Sequence, residues 1–296
     1  MIRFGLCCQF HEQPIKFRTT TATFLSKFSQ KENLLKINDL CLSNAKALFE
    51  SITYCALNHI GCFRIGSRIL PLKTHPEHGY KIQDLKDSSE ILSVFNNCFT
   101  FAKANNIRLC FHPDQFVVLN SQKENVVQNS IKELEYQAEV AELVGADVIN
   151  IHGGGSYGDK KAALLSFESN FYRLSSRVRS RLTVENDDTT YTPSDLLGLC
   201  ENLAIPLVYD AHHHRCCQDS LSVEEATNLS KQTWNREPLF HISSPANGWN
   251  GKNPEKHHDY IDKNDFPLIW KDLNVTVEIE AKAKECAIKN LREELF

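Results

Sequence analysis

Six short apolar runs in this 296-residue sequence carry an imidazole or a carboxylate at or next to their final position. His112 closes IRLCFH, His152 closes DVINIH and Glu185 closes RLTVE. Asp210 closes IPLVYD with His213 three residues on, His241 lies in PLFHI, and Glu280 ends the run that begins at Asn274. Imidazole and carboxylate together suit manganese or zinc. So many donors exceed what one four-coordinate ion takes, so two or three divalent metals are expected, Mn2+ first and Zn2+ as the alternative, with some carboxylates bridging. Ions about 3.5–4 Å apart are a common device for in-line phosphoryl displacement: one makes water a nucleophile near neutral pH and another takes the charge on the leaving oxygen. A sugar isomerase on a metal-bearing barrel would be expected to use a carboxylate-dominated set. The His-rich set favours phosphoester cleavage.

Taken singly, each residue has a plainer explanation. A strand-end histidine often caps or fills a core, Asp210 could be a helix N-cap, and Glu185 could be half of a structural ion pair. Gathered at one place, the carboxylates would repel one another and pay desolvation unless cations sat between them. The chemistry therefore depends on whether the fold gathers them.

Short apolar runs alternate with helical patterns along the whole chain. Strands are expected at 2–8, 62–65, 107–112, 147–152, 181–185, 205–210, 238–242 and 274–280, with helices at 38–59, 88–105, 123–145, 160–179, 192–202 and 222–234 and a charged last helix to Leu295. Thr192-Pro193-Ser194-Asp195 opens a helix well, and Ser222-Val223-Glu224-Glu225 has a capping-box pattern. Between the seventh and eighth strands only a short helix over His257–Lys263 can be drawn. Strands spaced by such helices imply βαβ units and a parallel sheet, and eight of them imply a closed barrel. The expected fold is α/β, a TIM (β/α)8 barrel forming a single domain over 1–296. Barrel active sites lie at the C-terminal strand ends, which would put all six side chains on one rim. The His11–Lys36 connection is long and reads as a functional loop at the mouth.

Bulk properties narrow the rest. No apolar run approaches the roughly 20 residues of a membrane helix, and the N-terminus lacks a signal-peptide layout, so a cytoplasmic protein is expected. Eleven cysteines form no C-x-x-C pair and read as reduced thiols, several of them in apolar strands or helices. Net charge is −4, which does not announce a nucleic-acid partner, but two or three divalent ions would add roughly +4 to +6 at one spot. Arg64, Arg68, Lys160, Lys161, Lys252 and Lys256 are phosphate contacts or plain surface. Gly153-Gly154-Gly155 is either a close-approach loop for a nucleic-acid backbone or a flexible turn. Of His212-His213-His214, only one or two can face a site.

The motifs together resemble those of the UV-damage endonuclease family (UvdE/UvsE type), barrel nucleases related in architecture to endonuclease IV. The resemblance rests on Arg64-Ile65-Gly66-Ser67 with Pro71 and His75, His112-Pro113-Asp114-Gln115-Phe116, His152-Gly153-Gly154 and Glu185-Asn186-Asp187-Asp188. It continues through Asp210-Ala211-His212-His213, His241-Ile242-Ser243-Ser244-Pro245, His257-His258-Asp259-Tyr260-Ile261 and the run from Glu280 to Glu285. It implies metal roles for His112, His152, Glu185, Asp210, His213, His241, His257 and Glu280, with His75 in the same site as ligand or phosphate contact. His75, Glu185, His241 and Glu280 would carry catalysis. Gln115 and Phe116 would probe the lesion, with Arg64 on the DNA. The implied partner is damaged double-stranded DNA, nicked immediately 5′ to a UV photoproduct in the nucleoid, with no membrane and no obligate protein partner. Extruding an already poorly stacked pair costs less than flipping normal bases, and an aromatic wedge offsets part of that cost.

Three positions depart from the family pattern: Leu6 and Phe116 stand where Tyr is usual, and Leu239 where Lys is usual. They leave open an abasic-site endonuclease or another metal-dependent barrel enzyme acting on a small molecule.

Overall fold

The computed structural model describes residues 2–296. Eight parallel strands close on themselves: β1 (Ile2–Cys7), β2 (Cys62–Ile65), β3 (Arg108–Phe111), β4 (Val148–His152), β5 (Leu182–Glu185), β6 (Leu207–Asp210), β7 (Leu239–Ile242) and β8 (Val275–Ile279). Each pairs with the next, and β1 pairs with β8 from Ile2↔Val275 to Leu6↔Ile279. The α/β barrel read from the sequence is therefore the fold. Outside the strands pack α1 (Gln30–Leu57), α2 (Ser88–Ala104), α3 (Glu124–Val144), α4 (Lys160–Phe171), α5 (Pro193–Leu203), α6 (Val223–Gln232) and α7 (Lys284–Leu295). No helix among the described residues is long and apolar enough to cross a membrane.

Local chemistry sets several boundaries. Reciprocal capping boxes open α1 (Ser29 with Glu32), α5 (Thr192 with Asp195) and α6 (Ser222 with Glu225). The first of these corrects the expected start at Asn38: the helix begins eight residues earlier, at Gln30, and the His11–Lys36 loop ends at Ser29. The expected helix over 160–179 is interrupted, because Ser175 turns both its N–H and its hydroxyl to the Glu135 carboxylate at 2.8 and 2.7 Å. A separate turn follows at Ser176–Arg179.

The largest correction lies between β7 and β8. His257–Lys263 is not helical; His257 forms an antiparallel bridge with Pro245, and its neighbours bond back to the loop after β7 (Ala246 N to Lys256 O, 2.6 Å; His258 N to Ser244 O, 2.7 Å). A 3-10 turn, Leu268–Asp272, takes the place of the missing helix. Its Trp270 is wholly buried against Tyr209, Phe240 and Phe266 and donates to the Thr227 hydroxyl at 2.9 Å.

Alternate strand residues meet inside the barrel. At the N-terminal end, Arg108 grips the Asp147 carboxylate with two nitrogens, and its guanidinium lies 5.6 Å from the Trp234 ring. Above that lie Cys62, Cys110, Val148, Val208 and Leu239, packed as one apolar cluster with Trp234. All eleven cysteines are free thiols. Gly5 belongs to this level: a Cβ there would sit 3.0 Å from the Glu278 Cγ and 3.2 Å from the Cys62 Cβ.

Candidate metal centre

At the C-terminal rim, β3, β4, β5, β6, β7 and β8 deliver His112, His152, Glu185, Asp210, His241 and Glu280 to one place. The Glu185 carboxylate has no exposed surface and lies at the middle. Its Oε2 is 3.0 Å from His112 Nε2, while its Oε1 is 3.1 Å from His241 Nδ1 and 3.3 Å from His213 Nδ1. Below it, Asn150 Nδ2 donates to Oε2, and Thr183 steadies Asn150 at 2.9 Å. The rings of His112 and His152 lie 5.1 Å apart, and those of His152 and His213 lie 5.8 Å apart. His257 enters from the β7–β8 loop, 3.8 Å from Glu280 Oε2.

Three overlapping groups each bring their donor atoms within 4.8 Å of one another: His112–His152–Glu185, Glu185–Asp210–His213 and His112–His241–Glu280. Sharing Glu185 and His112 makes them one cluster rather than three sites. Two buried atoms in it, Asp210 Oδ2 and His152 Nδ1, have no hydrogen-bond partner. Asp210 Oδ2 has only His213 Nδ1 near it, at 3.5 Å; a buried carboxylate oxygen without a hydrogen bond is costly, and a cation satisfies it. The donor set and these two atoms fit divalent metal ions.

Charges inside the rim are strongly coupled. Burial opposes ionisation of Glu185, but His241 and His152 outweigh it and hold the carboxyl well below the usual range. Burial likewise opposes a charge on His241, yet Glu185 beside it carries that pKa up to about 10. His213 is raised well above its ordinary value, against burial, by Asp210 and Glu185. His152 goes the other way, lowered mainly by burial.

Of the three consecutive histidines, only His213 stands beside the Glu185 and Asp210 carboxylates. His214 is held between the Tyr209 hydroxyl (2.8 Å) and Asp219 Oδ1 (2.9 Å), and His212 puts Nδ1 on the Ser243 carbonyl at 3.1 Å. The Gly153–Gly155 turn is packed rather than open. Asn120 Nδ2 donates to the Gly153 and Gly155 carbonyls at 2.8 Å, and Gly154 has φ +84° with its Cα side against the Asn120 amide.

The remaining expected site residues lie elsewhere on the mouth. Gln115 and Phe116 sit on a turn closed by Val117 N to Asp114 O, with Phe116 75% exposed. His75 is outside the cluster: its ring stacks on His78 at 5.1 Å, and its Nδ1 accepts from the backbone of Glu77 and His78. It lines a cleft of about 710 Å³ with Arg68, Asp114 and Phe116. A neighbouring cleft of about 580 Å³ runs from Arg68 and Asp114 to His112 and Arg64, past Phe10, Phe17, Lys16 and Arg18. Arg64 does not lie on the outer surface. Its guanidinium is buried under the rim, bound to Glu278 and 2.6 Å from Glu280 Oε1.

A family model for UV-endonuclease UvdE matches residues 2–296. The chain belongs to that family. A UV DNA damage endonuclease of Nostoc sp. (strain PCC 7120 / SAG 25.82 / UTEX 2576) is 34% identical over 299 residues, covering 97% of this chain and 88% of that one. The crystal structure of SacUVDE matches with a TM-score of 0.86 and 30% identity over 99% of each chain. Endonuclease IV from Thermus thermophilus matches with a TM-score of 0.64 over 99% of this chain and 98% of that one. At 14% identity it speaks for the barrel alone.

Two residues that support the rim from beneath went unseen in the sequence reading. Glu278 and Asn150 lie two residues before Glu280 and His152, and strand alternation puts them on the same inward face. That period-two spacing was the available signal.

Proposed function

We propose that this DNA-repair endonuclease cuts the phosphodiester 5′ to UV photoproducts or other distorting lesions with two or three divalent ions, Mn2+ before Zn2+. His112, His152, Glu185, Asp210, His213, His241, His257 and Glu280 would hold them, and residues 1–296 would act as one catalytic domain on damaged duplex DNA in the cytoplasm. The observation that carries this reading is the set of three donor groups sharing Glu185 and His112. Bound divalent ions supply an activated water and offset charge on the leaving oxygen.

The chain's own residues do the rest. Glu185 presents its two oxygens to different histidines and would hold the ions together with them. Gln115 and the exposed Phe116 ring would enter a duplex gap, where stacking on the ring offsets unstacking. Lys16 and Arg18, with Arg68 paired to Asp114 at 3.6 Å, would meet phosphates in the cleft beside His112. His75, lining the cleft with Arg68 and Asp114, would contact phosphate rather than metal. Arg64, committed to Glu278 and Glu280, would act on DNA only through the rim.

Nicking of UV-irradiated plasmid tests the reading. Glu185→Gln and His241→Ala should each lower the rate by at least about a hundredfold, since each removes a side chain that would hold the ions stabilising the transition state. Full activity in either would refute it. End-labelled duplexes with a pyrimidine dimer or an abasic site, run side by side, report the cut position and separate the two substrates.

A further inference from the structure

Beneath the rim lies a carboxylate that the catalytic reading does not use. Glu278 sits on β8 with a side chain only 2% exposed. Its Oε2 receives the Arg64 guanidinium and stands 2.8 Å from His241 Nε2, and its Oε1 accepts from the Cys110 thiol at 3.0 Å. Gly5 across the sheet leaves the room it fills. A buried carboxylate with both oxygens engaged is a built feature, because each missing partner would be costly.

Its position bears on His241. That ring turns Nδ1 to the rim, 3.1 Å from Glu185 Oε1 and 3.4 Å from Glu280 Oε1, and turns Nε2 down to Glu278 and to Arg64 Nη2 at 3.0 Å. A neutral imidazole has one N–H. With the proton on Nε2, Glu278 accepts it and Nδ1 offers a lone pair to the rim. With the proton on Nδ1, Nε2 accepts from Arg64 and the rim-facing nitrogen cannot ligate.

We propose that Glu278 is a positioning residue that decides between these tautomers: it accepts the Nε2–H of His241 and holds the Arg64 cation, leaving Nδ1 as the ligating atom. The inference rests on reading the rim as a metal centre. Carboxylates that orient ligating histidines in this way are a general device. Glu278 also neutralises a guanidinium that would otherwise repel an ion beside Glu280.

Calorimetric titration with Mn2+ alone tests it. Glu278→Gln keeps the shape and removes the charge, so it should bind Mn2+ about 10- to 100-fold more weakly than wild type, or bind one ion fewer. Equal affinity and stoichiometry in the variant would overturn the inference while leaving the metal centre intact. Wild-type protein that bound no divalent ion would sink the metal reading and this inference with it. A second measurement needs no substitution at Glu278. Nitrogen-15 histidine spectra of the zinc-loaded wild type, assigned against His241→Ala, should show His241 protonated at Nε2; protonation at Nδ1 would overturn the proposal.

Discussion

Glu185 has no exposed surface and three imidazoles around it, and this arrangement sets how the rim responds to pH. Before metal binds, His241 has a pKa of about 10: burial opposes the charge, but Glu185 outweighs it. His213 is also raised, against burial, by Asp210 and Glu185. Near pH 7 both rings therefore carry protons on nitrogens that an ion must take. Binding expels those protons, so affinity is weakest at low pH and climbs as pH rises toward the raised pKa values, about tenfold per unit for each proton released. Titrations with Mn2+ from pH 6 to pH 8, in buffers of different ionisation enthalpy, should show rising affinity and a buffer-dependent heat. Affinity that stayed flat, with no proton released, would contradict this account of the rim.

At the scale of elements, the strands position the chemistry, and their inward faces are filled level by level. The neighbourhood of Gly5 on β1 is the tightest case. A methyl group there would stand 3.0 Å from Glu278 Cγ, and that side chain is held by Arg64, His241 and Cys110, so it cannot swing aside freely. Gly5→Ala should destabilise the fold by about 1–3 kcal/mol, the usual cost of overpacking, measured by urea unfolding of the metal-free protein. An unchanged midpoint would mean the barrel interior is looser at this level than the contacts imply. The helix boundaries follow the same local logic: Ser29 and Glu32 open α1, and Ser175 stops the 160–179 segment by bonding Glu135.

For the whole molecule, the formal charge of −4 opposes binding a polyanion. A rim carrying divalent ions inverts the sign where it matters. Chelation should therefore weaken binding of an uncleavable damaged duplex by roughly tenfold or more, read by fluorescence anisotropy with and without EDTA, and added Mn2+ should restore it. DNA affinity indifferent to chelation would shift the weight to Lys16, Arg18 and Arg68 in the adjoining cleft.

The sequence by itself determined the barrel and most of its rim. Apolar runs separated by helical patterns specify a parallel sheet, and His112, His152, Glu185, Asp210, His241 and Glu280 each stand at or beside the end of such a run. His257 was legible only through its motif: its approach to Glu280 depends on a loop bridging back to Pro245, which no periodicity encodes. His75 carried a motif too, yet lies outside the cluster. The coupling of Arg64 to Glu278 joins residues 214 positions apart. Alternation told which face each occupies, but only closure of the barrel, β1 against β8, made those faces one interior and let charges from opposite ends of the chain meet.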